Sequence, residues 1–320
     1  MLRHNKVDLP KKGGAVSLII AGMPTNKRST PSPAGGSVDK RSTPSPAGGS
    51  GDEYEEQINR WRARKQEDLI KENGWLALAG LSWLKPGRNL IGSNPMCEII
   101  LPERGPTFLG IIEMNGKTAR LQVAAGVPVQ VNGKPVKKTL LKSNKEAKPS
   151  YITWNEICLV VHEHAGKYAV RIWDNQRRYR LTLPLRRWFP VNKRLRLNAR
   201  YTRYPEPKIT EQPDTFGETV EDRMDGYVSF HFEGKTYKLD ATEVENNKLY
   251  IKFRDQTSSK ESYPPSRYYY SEPLTDGKFV LDFNYAYSPP CAFTEYATCI
   301  FAPQQNTLPF RVEAGEVYRG

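Results

Sequence analysis

The chain has 320 residues, a formal net charge of +13 and a mean hydropathy of -0.65, yet 11% of its residues are aromatic. No run approaches the roughly eighteen apolar residues of a membrane-spanning helix, and four cysteines in so long a chain exclude a disulfide framework. What remains is a β-rich body with an aromatic core and a basic surface that favours anionic partners.

Residues 1–52 carry eight Lys/Arg against three Asp/Glu. "AVSLIIAGM" (15–23), preceded by Lys6, Lys11 and Lys12, has the outline of an export signal. Its apolar stretch is short and its end is a poor cleavage site, so a cytoplasmic location is favoured over export. "KRSTPSPAGGSVD" (27–39) is then repeated almost unchanged as "KRSTPSPAGGSGD" (40–52). Proline, glycine, serine and threonine dominate and leave nothing to bury, which predicts a disordered tail rather than a solenoid.

A helix is expected over 53–74. Asp52 stands three residues before Glu55 in capping-box fashion, and Tyr54, Ile58, Trp61 and Leu69 recur at helical spacing. Asn73-Gly74 should end it, with the glycine in the left-handed position. Alternation and turn residues then take over. "WLALAGLSWL", "NLIGS", "CEIILPE", "LGIIEMNGKTARLQVA", "VPVQVNGKPV", "ICLVVHEHAGKYAVRIWD" and "YRLTLPL" read as strands of a first β unit, 75–183. Its "MNGK", "VNGK" and "HAGK" segments suit hairpin turns, Asn-Gly favouring type I′.

"GRNLIGSNPMCEIILPE", a strand pair and "VQVNGKPV" follow one another in an order that resembles the forkhead-associated β-sandwich. In that family phosphothreonine is read by an arginine directly after the turn glycine and by a Ser-x-x-His. Here Ser93 follows Gly92, and "GPTFLGIIEMNG" supplies neither partner. The resemblance therefore implies the sandwich without the charge-assisted fork that holds a phosphate.

A basic connector is expected over 184–212 and a second antiparallel β unit, barrel- or sandwich-like, over 213–320. The latter holds "YVSFHFEGKTYKLDAT", "KLYIKFRDQT", "RYYYSEPL" and "KFVLDFNYA". The fold class expected for the ordered body is thus mainly β behind one N-terminal helix.

"ENGWLALAGLSWLKPGRNLIGS", "RWFPV", "YPEP", "LDFNYAYSPPCAFTEYATC" and "NTLPFRVEAGEVY" occur in a fixed order that resembles the DUF1684 family of uncharacterised, mainly prokaryotic proteins, over about 53–320. The resemblance implies no activity. Many members carry Thr-Tyr-Gly-Gly-Gly-Arg-Tyr ahead of the long motif. Here "SYPPSRYYY" keeps Tyr263, Arg267 and Tyr268 but replaces the glycines, so a role needing close backbone approach there is not implied for this chain.

The candidate chemistry lies in the last third. Asp255 and Thr257 end one strand, Tyr263 and Arg267 precede or open the next, Asp282 and Asn284 end another, and Cys291, Thr294 and Glu313 follow. An arginine between carboxylates is either a buried strut or the anchor of an anionic ligand. The expectation is a polar pocket of the C-terminal unit that binds a small, anionic molecule through Arg267. One alternative is a hydrolase using Asp255 or Asp282 as base. Another is a single-stranded nucleic-acid groove built from ten Lys/Arg and five aromatics between Asn175 and Pro205, a less favoured partner. Cys291 has no histidine beside it to act as a base, and a Cys291–Cys299 disulfide is left open by the spacing. "HEH" (162–164) puts two imidazoles on one strand face but lacks a third ligand, so no metal or cofactor is expected.

Overall fold

The computed structural model describes residues 51–182 and 185–318, so the tandem repeat lies outside the described residues, apart from Gly51 and Asp52. Helix α1 (Gly51–Ile70) buries Ile58 and Leu69, two of the residues whose spacing predicted it. It stops four residues earlier than expected. Asn73, not Gly74, takes the left-handed conformation (φ +53°), while Gly74 is extended. The glycine is needed for room: a Cβ there would lie 2.7 Å from the Lys71 carbonyl oxygen and 2.9 Å from that of Leu69.

The first β unit is a sandwich of two sheets. One sheet runs, in spatial order, Leu78–Trp83, Lys167–Asp174, Ile157–His164, Ile152–Trp154, Gln130–Val131, Lys134–Pro135. The other runs Ile99–Ile100, Gly87–Gly92, Gly110–Asn115, Thr118–Val123, Lys138–Leu141. All pairings are antiparallel except Gly87–Gly92 with Ile99–Ile100. Ile91, Ile112 and Leu121 face Leu159, Val161, Val170 and Ile172 across the core. The "VNGK" turn has both Asn132 and Gly133 at positive φ, the type I′ requirement. In "ICLVVHEH" the residues between the core positions, Cys158 and Val160, are buried as well. A strand covered on both faces loses its alternation, and here the cover on the outer face comes from Trp75 and Ala77 of the same unit together with Tyr296 and Thr298 of the second.

The second unit is a six-stranded antiparallel sheet. Its order is Arg267–Tyr270, Lys248–Phe253, Lys235–Val244, Thr219–Phe232, Arg196–Pro213, Lys278–Asp282. Val228, Leu239, Ile251, Phe253, Tyr269, Leu281 and Phe283 form its core. Two expectations are corrected here. "YRLTLPL" is not a strand: Arg178–Thr182 is a short helix, tied back by Arg180, whose side chain donates to the carbonyls of Ile70 and Asn175. Residues 184–212 do not merely connect the units, because they contain most of the eighteen-residue strand Arg196–Pro213. Along it Leu197, Ala199 and Tyr201 turn inward while Arg196, Asn198 and Arg200 face solvent. Of the basic run, Arg196, Arg200 and Arg203 are thus exposed side chains of this strand, and the other seven precede it. The segment 283–318 has little regular structure and packs over the sheet, its Glu316–Val317 pairing with Arg187–Trp188. No helix among the described residues is long and apolar enough to cross a membrane.

Candidate functional site

The fold separates the predicted site residues into distinct groups. Arg267 is 1% exposed. It donates to Asp255 Oδ2 at 2.8 Å, to the Val312 carbonyl at 2.9 Å and to the Ala314 carbonyl, while its guanidinium lies over Phe253. Asp255 Oδ1 accepts from the backbone N–H of Thr257 (2.6 Å) and of Val312 (3.3 Å), and the Thr257 hydroxyl bonds Ser262. Both terminal nitrogens of Arg267 are taken by these partners and only its Nε is left without one, so the group ties the strands to the C-terminal segment.

Asp282 and Asn284 form a second group. Asp282 Oδ2 accepts from the Tyr54 hydroxyl at 2.6 Å, and Oδ1 accepts from both the backbone and side-chain nitrogens of Asn284. The Asn284 side chain in turn bonds the backbone of Asn192 in both directions. The pair docks α1 and the 192 turn onto the sheet end. Thr294 is buried and accepts from the Tyr296 N–H (3.4 Å), while Glu313 is exposed beside Arg311. Tyr263 packs edge-on against Tyr318 and contacts Cys291. Cys291 and Cys299 are free thiols in this structure.

The basic run is largely engaged within the protein. Arg177 donates to the Leu78 carbonyl, and Arg186 pairs with buried Glu316 at 2.5 Å. Arg194 and Arg203 pair with Glu233 and Glu243. His231 faces solvent and bonds Thr236, away from any nucleophile.

The junction between the β units has a different character. Strand register puts Leu81 and Val160 opposite Arg171, and His162 opposite Ala169, all on the outer face of the first sandwich. The "HEH" imidazoles do share that face. They stack with centroids 5.8 Å apart and are both buried. Arg171 donates to His162 Nε2 and to Thr298 Oγ1, each at 3.3 Å, and lies 5.4 Å from the Trp75 ring centroid. No carboxylate pairs with it among the described residues. Arg171 Nε, His162 Nδ1 and both ring nitrogens of His164 are buried without a hydrogen-bond partner. Trp83 and Phe216 close one side.

The electrostatics follow from that burial. Desolvation lowers Arg171 to about 10, opposed by the Cys299 thiol. Desolvation, then the Arg171 charge, drives His162 down to about 2. Desolvation, then Lys145 and Arg171, drives His164 to about 3. Lys145 and Lys167 are paired outward with Glu163 and Glu218. The nearby turn contributes Asp214, whose Oδ1 accepts from the Phe216 and Glu218 N–H groups; Oδ2 is unpartnered, and burial raises its pKa. The junction is thus a buried, net-positive cluster of donors lacking acceptors. Sequence reading flagged the two histidines but missed Arg171 and Thr298. The available signal was the one charge within the apolar stretch "YAVRIW". A surface hollow lined by Trp83, Leu84, Pro86, Met114, Lys167 and Tyr168 contains none of the predicted site residues.

A family model described as "Protein of unknown function (DUF1684)" matches residues 182–317. A solved structure of an uncharacterized protein from Haloarcula marismortui is 31% identical, over 44% of this chain and 80% of that one, with a TM-score of 0.37. The chain belongs to the DUF1684 family. Within this DUF1684 protein the model match covers the second β unit and its approach, while the first sandwich precedes it. The FhaA FHA domain, solved with a partner's intracellular domain, is similar over 29% of this chain and 96% of its own, at 17% identity and a TM-score of 0.20. A second FHA domain, from a study of phosphothreonine-dependent interactions, matches with the same identity and TM-score over 92% of its length. No curated protein matches the DUF1684 chain.

Proposed function

We propose that this protein binds a small anion at the junction of its two β units, with Arg171 as the charged anchor and His162, His164 and Thr298 around it. The carrying observation is the missing counter-charge. A buried cation without a carboxylate is costly, and a bound anion offsets that cost while giving the orphan donors an acceptor. Neutral imidazoles support this because each keeps an N–H donor without adding a proton. The predicted anchor, Arg267, is less suitable because it already has a counter-charge in Asp255 and two carbonyls on its terminal nitrogens, although its Nε is unpartnered. Interfaces between units are also where small-ligand sites concentrate.

The test is thermal unfolding of the protein in gluconate buffer, titrated with chloride, sulfate or phosphate, alongside Arg171→Met. Binding to the folded state raises the midpoint with anion concentration. The expected result is a saturable rise for wild type and a flat response for Arg171→Met, which keeps the length but not the charge. Equal responses from the two proteins would place the effect elsewhere.

A further inference from the structure

On the second sheet, strand register sets like charges side by side. Val228, Phe230, Leu239 and Leu281 point into the core, so Ser229, Lys238 and Lys278 point outward, as Arg200 does. Lys278, Arg200, Ser229 and Lys238 are direct neighbours in one row across four strands. At about 4.8 Å between strands the row is ~14 Å long. Lys278 lies directly opposite Arg200, an arrangement that destabilises a sheet unless an anion answers it. Asp240 does not: it accepts from the Tyr204 hydroxyl at 2.6 Å and from Gln305 at 3.0 Å. Glu233 pairs with Arg194. Aromatic rings share the face. Between Arg203 and Lys208 the strand Arg196–Pro213 bulges away from its partner, which lays Tyr204 against Tyr227 with centroids 5.6 Å apart. Lys208 stands 3.9 Å from the Tyr204 ring centroid and Lys238 stands 4.4 Å from that of Tyr227. Lys278, Arg200, Lys238 and Lys208 are exposed, and none of them makes an ion pair among the described residues. Of the ten cations between Asn175 and Pro205, only Arg200 belongs to this set.

We propose that this face binds a single-stranded polynucleotide, with Lys278, Arg200, Lys238 and Lys208 on its phosphates and Tyr204 and Tyr227 against its bases. Charge complementarity is the first argument. A row of unanswered cations on a solvent-facing sheet is offset by a chain that brings repeated negative charge and releases counterions as it docks. The rings decide which chain. A base stacks on a tyrosine face, a contact that an acidic peptide has no ring to make. A duplex keeps its bases paired inside, so it engages the cations and leaves the tyrosines unused. When a base takes a ring face, the lysine now lying over that ring is free to move to the adjoining phosphate. The Ser229 hydroxyl, between Arg200 and Lys238 in the row, adds a neutral donor. The surface belongs to the second unit alone, so the inference does not depend on the anion at the junction.

The full chain is titrated into fluorescein-labelled DNA and RNA strands of about 20 nucleotides, and anisotropy is followed from about 50 to 300 mM NaCl. Binding of either strand is the expected result. Residues 1–52 carry eight Lys/Arg of their own, so the comparison between proteins is what counts. Arg200→Gln/Lys278→Gln changes only exposed side chains. It should weaken binding at least ~10-fold at the lowest salt and make the slope of log affinity against log salt shallower by about 1.4. Tyr227→Ala should weaken binding at least ~5-fold and leave the slope unchanged. Circular dichroism checks that each variant is folded, and Lys238→Gln repeats the charge test at a second position. Equal affinities and slopes for wild type and the charge variants would put any binding elsewhere and overturn the proposal. A duplex of the same length bound as tightly as the single strand does so too, as does an unchanged affinity for Tyr227→Ala. Poly-glutamate competing equally well at matched charge would assign the face to an acidic protein segment instead. Absence of any anisotropy change up to ~50 μM protein at the lowest salt also overturns it.

Discussion

Replacing Arg267 tests whether the most buried charge in the C-terminal unit is a strut. Arg267→Met keeps much of the volume but removes every donor. It leaves the Asp255 carboxylate, itself 0% exposed, without its cation. Breaking one side of a buried pair costs about 3–5 kcal/mol. The Val312 and Ala314 carbonyls also lose a donor, adding about 1 kcal/mol each. The sum of roughly 5–7 kcal/mol rivals the whole stability of an ordinary domain. Arg267→Lys, which keeps the charge but not the fork, should lose about half as much. Asp255→Leu combined with Arg267→Met removes both charges and should recover at least ~2 kcal/mol over the single Arg267→Met change. Urea unfolding followed by tryptophan fluorescence and circular dichroism reads these differences, provided the slope is unchanged. A loss below ~1 kcal/mol for Arg267→Met, or simple additivity in the double variant, would refute the strut.

Acid should destabilise the protein through the junction histidines. Folded His162 and His164 titrate near 2 and 3, whereas the unfolded chain takes protons near 6.5. Stability is thus unaffected above that pH and falls as pH drops below it, by about 2 kcal/mol per histidine at pH 5. The combined His162→Asn/His164→Phe change should flatten the difference between pH 7 and pH 5; an unchanged slope counts against the assignment. Tyr54→Phe deletes the 2.6 Å bond to Asp282 and should cost about 1–2 kcal/mol, with limited proteolysis showing earlier cleavage in α1. Gly315→Ala should be severely destabilising. Its φ is +77°, and the new Cβ would stand 2.3 Å from the Ala286 carbonyl oxygen and 2.9 Å from Arg267 Nη2. A wild-type melting temperature for this variant would show that the segment can shift.

The elements were legible where local rules decide them. Asn132-Gly133 announces its hairpin, the spacing from Tyr54 to Leu69 announces α1, and the motif around 282–299 announces the family. The site was not legible, because its chemistry depends on long-range docking. Asp255 and Arg267 are close in sequence, but the carbonyls that occupy Arg267 come from residues 312 and 314. Likewise Arg171 resembles any strand arginine until Thr298, 127 positions later, packs over it. The basic run misled for a related reason. Ten cations without an acid suggest a groove, yet their counter-charges, such as Glu233, Glu243 and Glu316, lie elsewhere in the chain.

The dependence of Arg267 on downstream carbonyls also orders events at the ribosome. The sheet strands Arg196–Pro213 to Lys278–Asp282 emerge first, and until residues 312–314 clear the exit tunnel the guanidinium has only Asp255 to satisfy it. The nascent sheet must wait, partly open on that side, for a segment with almost no regular structure of its own. A translational stall shortly before residue 312 would therefore leave a protease-sensitive intermediate, although nearly every strand has already been made.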